Sequence, residues 1–324
     1  MTGIGKSMVA GAIVLGLAYP AAAADKWDMP TPYGDKNFHT ANIIEFAEDV
    51  KSATGGELEI TVHSAGSLIK HPEIKNTVRR GLVPIGEVLM SRLGNEDAVF
   101  EVDSVPFLAT SYDEAAKLWE ASRPMIEEKL EKERLKLLFA VPWPPQGLYT
   151  KQEVKSTDDL KGTKFRAYNT STERLAELAG AVPTQVEVPD IPTAFTTGRV
   201  DAMMTSPSTG ANTKAWDYVS YYTDTQAWLP KNMVIVNKKA FDALDEKTQQ
   251  AILDAAKAAE ERGWTASKAE TEEKTAVMKE NGMTIVEPSD TLTQQLKEIG
   301  KQMTAEWAES AGPDGQAVLE AYQK

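Results

Sequence analysis

Arg166 is the residue in this chain best suited to gripping an acid. It stands near the end of an alternating stretch, Lys164-Phe165-Arg166-Ala167-Tyr168, that reads as a strand. Directly after it, Thr170-x-x-Glu173 predicts a capped helix through Leu175 and Leu178 that stops at Gly180. The C-terminal edge of such a strand is where open α/β sheets bind ligands. A planar guanidinium offers two parallel hydrogen bonds that match a carboxylate. Asn169, three residues on, adds a neutral donor from the following turn. The competing reading is a solvated arginine on the polar face of its strand.

A second loop follows a buried strand at Leu135–Val141. It reads Pro142-Trp143-Pro144-Pro145-Gln146-Gly147-Leu148-Tyr149, and its prolines and glycine impose an irregular path. Trp143 and Tyr149 would offer flat apolar surface at that edge, unless Trp143 merely plugs a domain corner. A third strand candidate, Ala202–Thr205, ends in the hydroxyls of Thr205 and Ser206. Trp228, before Pro230, either closes a cleft or belongs to the core.

Other chemistries have little to work with. Cysteine is absent, which excludes disulfides, thiolate metal sites and cysteine nucleophiles. The three histidines, His39, His63 and His71, are too few for a multi-histidine metal centre, and an ordinary surface role is expected for His63 and His71. No Gly-x-Ser-x-Gly, His-Glu-x-x-His or paired strand-end carboxylates stand out, so no catalytic residue, cofactor or metal is assigned. A formal charge of −13 argues against nucleic acid or anionic lipid as a partner. Residues 1–24 hold one charge, Lys6, an apolar centre and Ala22-Ala23-Ala24, the pattern of a cleavable secretory signal. Without Lys6, 34 basic residues face 48 acidic ones, or −14.

The elements around these residues alternate. Helical spacing through Ile43, Ile44, Ala47 and Val50 stops at Gly55-Gly56, and Leu58, Ile60 and Val62 then alternate as a strand. Ser111-x-x-Glu114 opens a helix with Leu118 and Trp119. Val186–Val188 and Met233–Val236 are further strand candidates. This order predicts an α/β protein with mostly parallel sheets. Asp245–Asn281 lacks proline and would form one helix of about 55 Å. That exceeds the roughly 28 Å breadth of a ~120-residue domain. The small-residue stripe Ile252, Ala256, Ala259, Gly263, Ala266 suits close packing, with a kink allowed at Gly263. Two α/β domains strapped by this helix leave a cleft between them.

The layout resembles the DctP-type solute-binding proteins of TRAP transporters. The residues that carry the resemblance are His39-Thr40-Ala41 with Phe46-Ala47-Glu48; Gly66-Ser67-Leu68 with Glu73 and Gly81; Val105-Pro106-Phe107-Leu108; Asp158-Asp159-Leu160-Lys161-Gly162-x-Lys164-x-Arg166; and Thr197-Gly198-Arg199-Val200-Asp201-Ala202. Ala202 stands where the family usually has glycine. The resemblance implies a two-domain periplasmic-binding-protein fold of the type II-like kind, with a long helix spanning both domains. Expected boundaries are a signal peptide at 1–24, domain I at 25–148 plus about 233–275, and domain II at 149–232 plus about 276–324.

It further implies that Arg166 pairs with the ligand carboxylate beside Asn169. Gln146 would take the place of a second basic residue, Ser206 that of an asparagine, and Met90 that of a polar group. These replacements lower pocket charge and polarity. With Trp143, Tyr149, Met203, Met204 and Trp228 they favour a monocarboxylate with an apolar or aromatic body, and Phe38 is a further expected contact. A four-carbon dicarboxylate, a 2-oxo acid or a sugar acid is the alternative, and a periplasmic enzyme acting on a small organic acid is the alternative of another class. The implied partners are the organic-acid ligand and the small and large membrane subunits. The implied state is a periplasmic monomer without nucleic acid or direct membrane anchoring.

Overall fold

The computed structural model describes residues 24–324, so the expected signal peptide lies outside the described residues apart from Ala24. The chain first forms β1 (Asp25–Pro30), α1 (Phe38–Ala53), β2 (Leu58–His63), α2 (Ile74–Arg79), β3 (Ile85–Leu89), α3 (Tyr112–Lys132) and β4 (Leu135–Pro142). It crosses into β5 (Gly147–Thr150), β6 (Lys164–Ala167), α4 (Thr170–Leu178), β7 (Val182–Gln185), α5 (Ile191–Thr196), β8 (Ala202–Thr205), α6 (Pro207–Asn212) and β9 (Tyr221–Thr223). It returns through β10 (Lys231–Asn237), α7 (Lys238–Asp242), α8 (Glu246–Glu280), β11 (Thr284–Val286) and α9 (Asp290–Gln323), which breaks at Gly312-Pro313.

Three sheets result. β1 pairs in parallel with β2, β10 lies between β3 and β4, and six strands follow the order β11-β9-β5-β8-β6-β7. The chain passes from β4 of the three-stranded sheet to β5 of the six-stranded one through 143–146, and returns from β9 to β10 through 224–230. Parallel pairing does not predominate: β10 runs antiparallel to both neighbours, and so does β5. The cause is the double crossing. A strand that has just entered or re-entered a domain inserts against strands of opposite direction, and helix–strand alternation carries no trace of that.

Two local expectations also shift. The strand expected at Val186–Val188 lies earlier, at Val182–Gln185, on the sheet edge where Pro183 costs no ladder bond; Val188–Asp190 is a 3-10 turn. Helix α4 is capped by Asn169 rather than Thr170. The Asn169 Oδ1 accepts from the Thr172 amide at 2.8 Å, and Thr170 is already the first helical residue.

Helix α8 is the expected strap. Asp245 caps it by accepting from the Lys247 and Thr248 amides, and its 35 residues span about 52 Å without a break at Gly263. Its first half lies on α1 and β4, where Asn42 Nδ2 donates to Ala259 O at 2.9 Å and Trp264 Nε1 to Ala140 O at 3.1 Å. Its second half reaches α6 of the other domain, where Ser208 Oγ donates to Glu270 Oε2 at 2.6 Å.

Candidate ligand-binding site

Alternation along β6 sends Phe165 and Ala167 into the core and Arg166 to the opposite face, towards the junction of the two domains. There Arg166 is only 2% exposed. Its Nε donates to Val186 O at 3.0 Å, and its guanidinium carbon stands 4.8 Å from the Tyr168 ring centroid. Among the described residues this is its one hydrogen bond, and no carboxylate lies within ion-pair distance. Burial draws its pKa down to about 10, so the group stays cationic at neutral pH. A buried, unpaired charge is costly to a folded protein. Arg166 lines a pocket, and an anion placed against its remaining donors would lift that cost.

The pocket encloses ≈ 380 Å³, part of it open to solvent. Arg166, Trp143, Gln146 and Ser206, all expected at the site, line it together. Trp143 Nε1 donates to Asn232 Oδ1 at 2.9 Å, and the same oxygen accepts from Tyr33 OH at 3.2 Å. That shared acceptor fixes two aromatic walls whose rings meet edge to face, 4.9 Å apart. Gln146 Nε2 donates to Pro144 O, while its Oε1 accepts from Tyr168 OH. Ser206 Oγ caps α6 beside the hydroxyls of Thr205 and Thr209.

The other expected residues stand behind this lining. Trp228 Nε1 donates to Tyr168 OH at 3.2 Å and backs that wall. Tyr149 OH donates to Ser206 O, so it supports the site from the core. Phe38 packs edge-on against Trp143 with centroids 5.6 Å apart. Asn169 spends its amide on capping and on Ser91 Oγ. Met90 is fully buried in a core cluster with Ile74, Val78 and Leu93; in that 3-10 turn it is Arg92 that meets the pocket.

Arg92, Glu187, His71, Tyr33 and Tyr168 also line the pocket and were not anticipated. Arg92 Nη1 donates to Tyr168 O at 2.7 Å, and its Nη2 pairs with Glu187 Oε1 at 3.0 Å. His71 is buried rather than on the surface. Its Nε2 accepts from the Leu89 amide at 3.3 Å while Nδ1 faces Glu187 Oε2 at 3.6 Å, and burial lowers its pKa. His63 does lie at the surface, 2.7 Å from Asp28. Arg92 stands just past the end of β3, in the three-stranded sheet, and meets the pocket from the opposite side of the cleft to Arg166 on β6 of the six-stranded sheet. No group of three or more His, Cys, Asp or Glu side chains able to hold a metal occurs among the described residues.

Residues 33–310 match the model of the bacterial extracellular solute-binding protein family 7, DctP. The chain belongs to the DctP family. Its likeness to solved members is close. It shares 50% identity and a TM-score of 0.92 with DctP7, a Bordetella pertussis extracytoplasmic solute receptor binding pyroglutamic acid, over 93% of this chain and 100% of that one. It shares 40% identity and a TM-score of 0.91 with a marine metagenome TRAP solute-binding protein specific for pyroglutamate, over 93% and 99%. A curated solute-binding protein of Albidiferax ferrireducens is 22% identical over 91% of this chain and 89% of its own length.

As a DctP-family TRAP solute receptor, the chain has the two-domain α/β fold with a ligand cleft. The described conformation of this DctP-family chain has the two sides of the cleft in contact. Ser91 and Arg92, from the turn after β3, engage Asn169 and Tyr168, from the turn after β6. No helix among the described residues is long and apolar enough to cross a membrane.

Proposed function

We propose that this receptor captures a small cyclic monocarboxylate, pyroglutamate foremost, and hands it unchanged to TRAP membrane subunits. The unpaired, buried Arg166 fork carries the reading. A carboxylate there gains two charge-assisted hydrogen bonds, each worth about 1.5–3 kcal/mol. Trp143 and Tyr33 would cover the ring methylenes. Glu187 and the hydroxyls of Thr205, Ser206 and Thr209 suit a lactam, which has one N–H to donate and one carbonyl to accept. That polar wall and the limited space favour a lactam body over the aromatic one expected from the sequence. Two relatives at 50% and 40% identity are described as pyroglutamate binders, which supports the same choice.

Closure would follow from ligand contacts on both domains, which only the closed form makes at once. We place the domains near the expected bounds, moved to the crossings so that no strand is cut: 25–142 with 231 to about 275, and 147–223 with about 276–324. The mature chain would work in the periplasm as a monomer, after loss of residues 1–24, and catalyse nothing.

Native mass spectrometry of protein purified without added ligand should detect a bound mass that matches pyroglutamate. Calorimetry on stripped protein should then give saturable binding of L-pyroglutamate. Binding of benzoate- or indole-type acids in its place would refute the ligand, and conversion of the bound compound would refute a receptor altogether.

A further inference from the structure

A pocket built for an acid holds a glutamate in its wall. Glu187 follows Val186, whose carbonyl accepts from Arg166, and it lines the same pocket as Arg166 without pairing with it. One oxygen pairs with Arg92 at 3.0 Å and the other faces His71 at 3.6 Å. Those partners and Arg166 hold its pKa below the ordinary glutamate value despite partial burial, so it is ionised. His71 is uncharged, its Nε2 serving as an acceptor. The charged lining is therefore Arg166, Arg92 and Glu187, a surplus of one positive charge.

We propose that Glu187 is the specificity-determining residue that limits this pocket to ligands carrying one negative charge. This deepens, and rests on, the monocarboxylate reading. By occupying Arg92, Glu187 withdraws the second guanidinium from the ligand. A first carboxylate on Arg166 neutralises the lining. A second would enter a pocket with no net charge left to attract it and would face the Glu187 carboxylate, and like charges brought together there repel. The sequence contains a second arginine at the site, yet the structure has already matched it.

Calorimetry with L-pyroglutamate and with glutarate, a dicarboxylate of the same carbon count, tests this on the wild type, Glu187→Gln and Glu187→Ala. The wild type should bind glutarate at least about a hundredfold more weakly than pyroglutamate. Either substitution frees Arg92 and should tighten glutarate binding itself about tenfold or more; a ratio that narrows only because pyroglutamate loses a Glu187 contact counts against the proposal. A residue that merely tethers the two domains would weaken both ligands alike and leave the ratio unchanged; that result, or equal wild-type affinities, overturns the proposal. Glu187 is about one-third exposed, so the variants are expected to fold, and Ala serves if Gln does not. If pyroglutamate fails to bind but another monocarboxylate succeeds, the ligand assignment falls alone, and that acid against its dicarboxylate homologue gives the same ratio.

Discussion

Asn169 Nδ2 donates to Ser91 Oγ at 2.8 Å across the cleft, and both side chains are buried. The bond joins the turn after β6 to the turn after β3. It exists only while the two domains are together, so it belongs to the closed state.

Ser91→Ala should therefore weaken ligand binding with little effect on thermal stability. Losing one such bond costs about 0.5–1.5 kcal/mol, or roughly two- to twelvefold in Kd. Asn169→Ala removes the same bond and also the α4 cap, for about 0.5–2 kcal/mol more. It should lower both affinity and Tm. Calorimetry and thermal melting on the pair separate closure from helix capping. Equal Tm losses in both variants would show that Ser91 acts on stability.

Arg166→Lys keeps the charge and loses the fork. Binding should fall about tenfold to a hundredfold, because one or both charge-assisted bonds go. Arg166→Met should abolish binding and raise the Tm of the empty protein, since it removes a buried cation that pairs with no carboxylate among the described residues. Thermal melts of ligand-free samples check the second half. A lower Tm for the Met variant would mean that the arginine is structural.

Arg166 was legible because strand alternation, a helix start and a glycine stop all surround it within twenty residues. The strap α8 was legible because nothing interrupts its pattern from Asp245 to Asn281. Arg92 and Glu187 were not. β3 carries Glu87 in the middle of a fully buried strand, which spoils the apolar pattern that would have marked the sheet edge before Arg92. Glu187 precedes a 3-10 turn where a regular strand was expected. Tyr33 comes from a loop and His71 opens a short 3-10 turn, and their burial depends on contact between segments far apart in sequence. Met90 was misplaced by two positions in a tight turn, enough to exchange a core side chain for a pocket one.

Glu87 makes stability depend on pH in an unusual direction. It accepts from Asn232 Nδ2 at 3.0 Å and from Thr31 Oγ1, yet burial still raises its pKa to about 7. Burial likewise lifts Glu101 to about 7 and Asp103 to about 6. A carboxyl with a raised folded pKa binds its proton more tightly when folded. Its stabilising contribution is present below the unfolded value of about 4.5 for Glu and is lost as pH climbs through about 7. Urea unfolding should therefore show stability increasing from pH 8 down to 5.5, by up to about 1.4 kcal/mol per pH unit for each such group. His39 and His71, kept neutral by burial, oppose this in part as pH falls through about 6.5, whereas Glu306, held low at about 2 by Arg174, opposes it only in far more acid conditions. Glu87→Gln should flatten part of the slope. An unchanged slope in that variant would show that Glu87 titrates normally.

Gly263 sets two physical effects against each other. In an exposed helix, Gly→Ala gains about 1 kcal/mol from propensity. Here a Cβ on residue 263 would stand 2.8 Å from both Val141 Cγ1 and Asn42 Nδ2, inside any normal contact. Val141 belongs to β4, and Asn42 is held by its bonds to Ala259 and Arg262, so neither can retreat cheaply. Overpacking of this kind costs about 1–3 kcal/mol. It should win, so Gly263→Ala lowers the unfolding free energy. An alanine placed on the exposed face of the same helix, as in Lys257→Ala, should leave stability within about 0.5 kcal/mol. A stabilised Gly263→Ala protein would mean that α8 lies farther from β4 than described, and that the strap is not seated on that sheet.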